Sequence, residues 1–190
     1  MYENAKTIGL EITDELKKNM SMIDKDKTEM LVDMIMSAKR IFVAGCGRSG
    51  IMIRGMAMRL MHLGYTAYVV GEIVTPAIGE GDLLIIGSGS GETGSLVLMA
   101  EKAKQCGAKL ALFTIYPESS IGKKADIVIR IPGVTAKSDI DSGVASIQPG
   151  GNLFEQTLLL LGDSIVIRII HKGGFKSDNA SMMRRHANLE

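Results

Sequence analysis

The sequence predicts an α/β fold, a three-layer sandwich with a five-stranded parallel sheet flanked by helices. Three observations carry this. Between residues 40 and 131, short apolar runs alternate with helix-length segments, the pattern of right-handed βαβ units. The runs lack polar alternation, as expected of strands covered on both faces. Two of them end in glycine-rich turns that lead into helical patterns, and ligands of parallel sheets bind beyond that carboxyl edge.

Each element has its own signal. Ile8, Ile12, Leu16 and Met20 recur in steps of four, one face of a first helix. Asp24 or Asp26 caps a second, with Met30, Leu31, Met34, Ile35 and Ala38 as its core face. The first strand, 41–44, runs into Gly45-Cys46-Gly47-Arg48-Ser49-Gly50, and a helix of about four turns follows. Gly64 stops that helix, and 66–70 is the second strand. The third strand, 83–86, enters Gly87-Ser88-Gly89-Ser90-Gly91-Glu92-Thr93, and a helix follows to Gln105. Residues 109–115 make the fourth strand, 117–122 a short helix, and 126–131 the fifth strand. The polar stretch 132–151 has the length of a binding loop or lid. The helix 154–170 is apolar on most sides, which calls for burial against the sheet and in a subunit interface.

The totals fit one domain spanning residues 1–190. A net charge of +1 offers no polycationic face for nucleic acid or acidic membranes. Aromatics are 4% with no tryptophan, which disfavours base stacking. Thirteen methionines are adaptable core filler, some of it expected at subunit contacts. Cys46 and Cys106 lie far apart without metal-knuckle spacing, and no two of the three histidines are spaced as ligand pairs on one helix, so no metal site is expected. No basic-then-apolar leader opens the sequence, and 158–170 is interrupted by Gly162, Asp163, Ser164 and Arg168. These point to a cytoplasmic protein without a membrane span.

The turn after the third strand carries the chemistry. It offers three hydroxyls, Ser88, Ser90 and Thr93, where an ordinary helix cap needs one. Gly89 and Gly91 let the backbone fold close around an anion at a helix N-terminus. Ser49 would join them from the first loop, and Arg48 either adds a positive charge or is a surface arginine or the partner of a neighbouring-subunit salt bridge. Glu92 would repel a phosphate, so its carboxylate is expected to turn away or bond backbone. The first loop is also a formal G-x-G-x-x-G with Glu72 about twenty residues beyond it. Against a dinucleotide stand the second hydroxyl-rich loop and the lack of room for a substrate domain. A single phosphate bearing a small polar body fits better.

The residues together resemble the sugar isomerase (SIS) family. The two loops carry the first part of the likeness. Arg59-Leu60-Met61-His62-Leu63-Gly64, Val70-Gly71-Glu72-Ile73 with Thr75-Pro76, the 117–122 stretch, Leu153-Phe154-Glu155-Gln156-Thr157 and His186-Ala187-Asn188-Leu189-Glu190 tighten it to the 6-phospho-3-hexuloisomerase family over essentially the whole chain. Cys46 departs from that pattern, where a smaller residue is common. The resemblance implies a flavodoxin-like SIS fold and a cytoplasmic homotetramer. It implies interconversion of D-arabino-hex-3-ulose 6-phosphate with fructose 6-phosphate in the ribulose monophosphate route, which fixes or removes formaldehyde. It implies no cofactor, a phosphorylated hexulose as partner, and neither nucleic acid nor membrane. Another SIS isomerase, or a non-catalytic sugar-phosphate-binding module, is the alternative.

Such a reaction moves a carbonyl from C3 to C2 through an enediol, and one carboxylate over those carbons can carry the proton. The resemblance assigns this role to Glu155. From spacing alone Asn152 and Glu155 read instead as a helix N-cap with its capping-box partner. The resemblance likewise gives His186, in an otherwise dispensable tail, a catalytic role reached by crossing into a neighbouring subunit. His62 reads as a helix-end or interface residue.

Overall fold

The computed structural model describes residues 4–134, 143–174 and 182–189. Five helices and five strands follow in chain order: α1 (Ala5–Met20), α2 (Lys25–Ser37), β1 (Ile41–Gly45), α3 (Gly47–Leu63), β2 (Ala67–Val69), β3 (Leu83–Gly87), α4 (Gly94–Gln105), β4 (Lys109–Thr114), β5 (Ile127–Arg130) and α5 (Asn152–Lys172). A single 3-10 turn, Gly122–Lys124, stands where a short helix was expected one turn earlier. All strand pairs are parallel, in the order β2-β1-β3-β4-β5.

Strand alternation divides the core. Ile41, Val43, Leu83, Ile85, Ala111 and Phe113 point to one face, against α2, α3 and α5. Phe42, Ala44, Leu84, Ile86, Leu110 and Leu112 point to the other, against α4. The central strands are buried on both faces, which is why they read as continuous apolar runs. On α2 the inward face holds Leu31, Val32 and Ile35. Met30, expected inside, is 57% exposed, because the stripe lies one position further along the helix. α1 rests on α5 through the buried Asn19, whose side-chain amide donates to Pro132 O and Thr157 Oγ1, each at 2.8 Å.

This strand order places the topological switch between β1 and β3, where neighbouring strands send their chains to opposite faces of the sheet. The turns leaving β1 and β3 are therefore adjacent at the carboxyl edge. The β1 turn closes tightly. A Cβ at Gly50 would stand 2.6 Å from Gly45 O, and one at Gly45 would stand 2.9 Å from Gly50 Cα. Glycine at both positions is a steric requirement of this strand-to-helix path.

Candidate active site

A cavity of about 280 Å³ opens at the switch point. The β1 turn contributes Cys46, Gly47, Arg48 and Ser49. The β3 turn contributes Ser88, Gly89, Ser90 and Thr93, and Phe154 and Glu155 come from α5. Three helices, α3, α4 and α5, begin at this cavity, and none of them has a side-chain cap. α1 and α2, which begin elsewhere, are capped by Asn4 and Asp24, whose side chains accept from Thr7 N and Lys27 N. The unfilled first-turn N–H groups and the positive ends of three helix dipoles thus meet in one concavity, an arrangement suited to an anion.

The serines of the β3 turn are held beside these helix starts. Ser88 Oγ accepts from Gly91 N at 3.1 Å, and Ser90 Oγ accepts from Glu92 N at 3.2 Å. Each hydroxyl is fixed through its oxygen and keeps its own hydrogen to donate. Thr93 is the N-cap residue of α4 but makes no side-chain cap bond, so its hydroxyl is available as well. Cys46 Sγ lies 3.6 Å from Ser95 Oγ at the rim.

Arg48 and Glu155 are the only charged residues lining the cavity among the described residues. Arg48 Nη1 stands 3.4 Å from Glu155 Oε2 and also donates to Asn152 Oδ1. The Glu155 side chain is 15% exposed and folds back over Gly151. The capping box that the spacing allowed is not formed. α5 starts at Asn152 with Gly151 as its N-cap, one residue earlier than a capping asparagine requires. Asn152 is turned to Arg48 instead, and the carboxylate of Glu155 faces the cavity.

The chain before α5 is fastened from behind. Glu15 on α1 accepts from Ser146 Oγ, Ile147 N and Gln148 Nε2 at 2.7 to 2.9 Å. Burial works against its charge, but these donors outweigh burial and hold the carboxyl below the usual carboxylate range. Of the long loop expected at 132–151, residues 135–142 lie outside the described residues.

The family model for the SIS domain matches residues 34–160, which include both loops, the switch point and the first turns of α5. The chain belongs to the SIS domain family. It is 50% identical over 180 residues to the 3-hexulose-6-phosphate isomerase of Bacillus subtilis, covering 95% of this chain and 96% of that one. It is 40% identical over 192 residues to the enzyme of the same name from Mycobacterium gastri, covering 97% and 94%. A crystal structure from Methanococcus jannaschii, from which a 3-hexulose-6-phosphate isomerase function was inferred, superposes with a TM-score of 0.81 at 34% identity, covering 95% and 97%.

In this SIS domain Arg48, Ser49, Ser88, Gly89, Ser90, Thr93 and Glu155 all line one cavity. Three expected site residues do not. Gly91 is buried with φ +64, and a side chain there would collide with Ser119, so it turns the chain and does not line the cavity. Glu92 turns away, as its charge demands. Its Oε1 accepts from Ser120 N at 2.7 Å, and the bonds from Ser120 hold its carboxyl below the usual range. His186 stacks on His62 with ring centroids 5.3 Å apart. His62 ends α3 while the cavity opens at its start, and 16 residue steps separate those ends by about 24 Å. Within one chain His186 is therefore remote from the cavity. Glu72, the acidic residue of the dinucleotide pattern, is exposed and pairs with Arg54 at 3.0 Å.

Sequence reasoning missed Asn152 as the partner of Arg48, and Gly150, Gly151 and Phe154 as lining residues. The Gly150-Gly151 pair just ahead of an apolar helix was the available signal, since two glycines there leave a helix start without a side-chain cap. No helix among the described residues is long and apolar enough to cross a membrane. No group of three or more potential metal-ligating side chains occurs among them.

Proposed function

We propose that this chain is a 3-hexulose-6-phosphate isomerase, interconverting D-arabino-hex-3-ulose 6-phosphate and fructose 6-phosphate. The observation that carries the reading is the single carboxylate, Glu155, facing an anion cradle built from three uncapped helix starts and four hydroxyls. Likeness to named isomerases over nearly the whole chain supports it over a non-catalytic sugar-phosphate module.

The phosphate is bound by Ser49, Ser88, Ser90 and Thr93 at the N-termini of α3 and α4. Its binding energy fixes the sugar carbons against α5. Glu155 takes the proton from C2, and the electrons move to the C3 oxygen, giving the enediol or enediolate. Returning the proton to C3 while the C2 hydroxyl becomes a carbonyl completes the exchange. C2 is oxidised and C3 reduced within one molecule, so the chemistry requires neither a hydride acceptor nor an external oxidant. The helix starts and hydroxyls that hold the phosphate also favour negative charge developing on the sugar oxygens nearby.

A homotetramer in the cytoplasm is part of this reading, with one SIS domain per chain. Ile51 and Met58 on α3 and Leu159, Leu160 and Ile167 on α5 are exposed, 36% to 64%, and give the apolar surface such an assembly would bury. A neighbouring subunit is also the way for His186 to reach a cavity and relay protons between substrate oxygens. The ribulose monophosphate route, with formaldehyde fixed or removed, is the setting in which this substrate pair occurs.

The test is turnover of the hexulose phosphate by purified protein without added cofactor, read as fructose 6-phosphate formed. Glu155→Gln should lower kcat by about 10³-fold while KM changes little. Phosphate binding without turnover by the wild-type chain would replace the enzyme reading with the binding-module one.

A further inference from the structure

The cavity holds one cation and one carboxylate, and they are paired. Arg48 lies in the first turn of α3, Asn152 and Glu155 in the first turn of α5. The guanidinium therefore bridges two helix starts that both face the ligand space. Its contact with Glu155 is loose: at 3.4 Å, through one nitrogen, it is longer than the 2.7–2.9 Å of a strong charged hydrogen bond. The Arg48 side chain is 41% exposed, while that of Glu155 is mostly enclosed.

A sugar phosphate would bring a second, stronger anion into this site. The remaining donors of the guanidinium match a phosphate in the forked, two-bond geometry that arginine prefers. Two anions then compete for one cation, and the doubly charged, bidentate one has the advantage. The carboxylate left behind loses its ion-pair partner and is free to approach the sugar carbons.

Building on the isomerase reading, we infer that Arg48 couples phosphate binding to release of the base: it holds Glu155 in the empty site and transfers to the substrate phosphate, leaving the carboxylate free over the sugar carbons. Arg48 is thus a positioning residue for Glu155 as well as a phosphate ligand. Sugars without a phosphate find the base still engaged, so the pair selects phosphorylated substrates through rate as well as affinity.

The experiment follows solvent deuterium exchange at C3 of fructose 6-phosphate, and of unphosphorylated fructose with and without added inorganic phosphate, in wild type, Arg48→Gln and Arg48→Lys. In wild type, inorganic phosphate should raise exchange into fructose several-fold, since it draws Arg48 off Glu155. In Arg48→Gln the base is never held, so added phosphate should no longer raise exchange into fructose, and KM for fructose 6-phosphate should rise at least ~10-fold. Arg48→Lys keeps the charge without the fork, so it should recover part of the response to phosphate while KM stays raised. Phosphate that leaves exchange into fructose unchanged in wild type, or raises it equally in Arg48→Gln, overturns the coupling while leaving the isomerase reading intact, whereas a wild-type chain that exchanges no deuterium into fructose 6-phosphate overturns both.

Discussion

Arg40 clasps Asp82 with two hydrogen bonds, 3.0 Å from Nε and 2.6 Å from Nη2. The Asp82 side chain is 1% exposed and also accepts from Gly79 N at 2.8 Å. Arg40 precedes β1 and Asp82 precedes β3, so the pair fixes the two switch-point strands at the edge opposite the cavity. Asp82→Ala should cost about 2–3 kcal/mol, because a buried charged bond network is lost. That corresponds to a fall in Tm of roughly 5–10 °C for a domain of this size. An unchanged melting curve would show that strand pairing alone sets the register.

The same pair gives the fold an acid limit. Burial works against the charge of Asp82, but the Arg40 and Gly79 donors outweigh it, so its folded pKa lies below the ordinary 3.8. The unfolded chain then takes up the proton first as pH drops. The stability Asp82 contributes is complete above about pH 4 and is lost as pH falls through the folded value. In Asp82→Asn, urea midpoints measured between pH 3 and 6 should lose this part of their pH dependence.

Asn19 is the polar link between α1 and the sheet side of α5, 1% exposed and bonded to Thr157 and Pro132. Asn19→Ala should cost about 1–3 kcal/mol by leaving the Pro132 carbonyl without this donor. Amide exchange should rise in α1 well before it rises in the strands. Uniform acceleration across the domain would mean that α1 docks only through its apolar stripe.

Glu15 holds residues 146–148 behind the start of α5. Glu15→Ala should speed exchange of the Ile147 amide and raise KM several-fold, since Gly150, Gly151 and Glu155 lose their backing. Its cost in stability should be about 1–2 kcal/mol. Faster exchange at Ile147 with unaltered kinetics would separate this loop from the cavity.

His62 is 3% exposed. Burial first, then Arg59 and His186, push its pKa below 6.5. The unfolded chain therefore binds the proton more readily. Stability from neutral His62 is full above about pH 6.5 and is lost as pH falls through the folded value. The stacked His186 and the neighbouring Arg185, which donates to His62 O, feel the same added charge. Exchange of the 182–189 amides, corrected for intrinsic rate, should rise between pH 7.5 and 5.5, and His62→Asn should remove the rise.

Much of the fold was legible because its signals are local. All five strands stand within about two residues of their expected limits, since strands of a parallel sheet are written as short apolar runs closed by turn residues such as glycine and proline. The hydroxyls of the β3 turn were legible for the same reason. Pairings across distance were not. The Arg48–Asn152 bond spans 104 positions and the Asn19–Thr157 bond 138, and no spacing rule connects such residues. Asn152 illustrates the limit well. Its distance from Glu155 fits a capping box, but two glycines ahead of it moved the helix start back by one residue and freed both side chains for Arg48. His186 is a different case, since its placement on His62 came from packing at a helix end that local pattern does not encode.

Helix starts left open toward the cavity have a thermodynamic consequence of their own. N–H groups without a side-chain cap can take an anion as their acceptor, so binding one adds bonds to the folded chain that the unfolded chain cannot make. A phosphorylated sugar is then a folding partner as well as a reactant. At a hundredfold excess over its dissociation constant it adds about 2.7 kcal/mol to stability. The persistence of this protein in a cell would follow the level of the metabolite it consumes, with starvation leaving it easier to unfold and degrade.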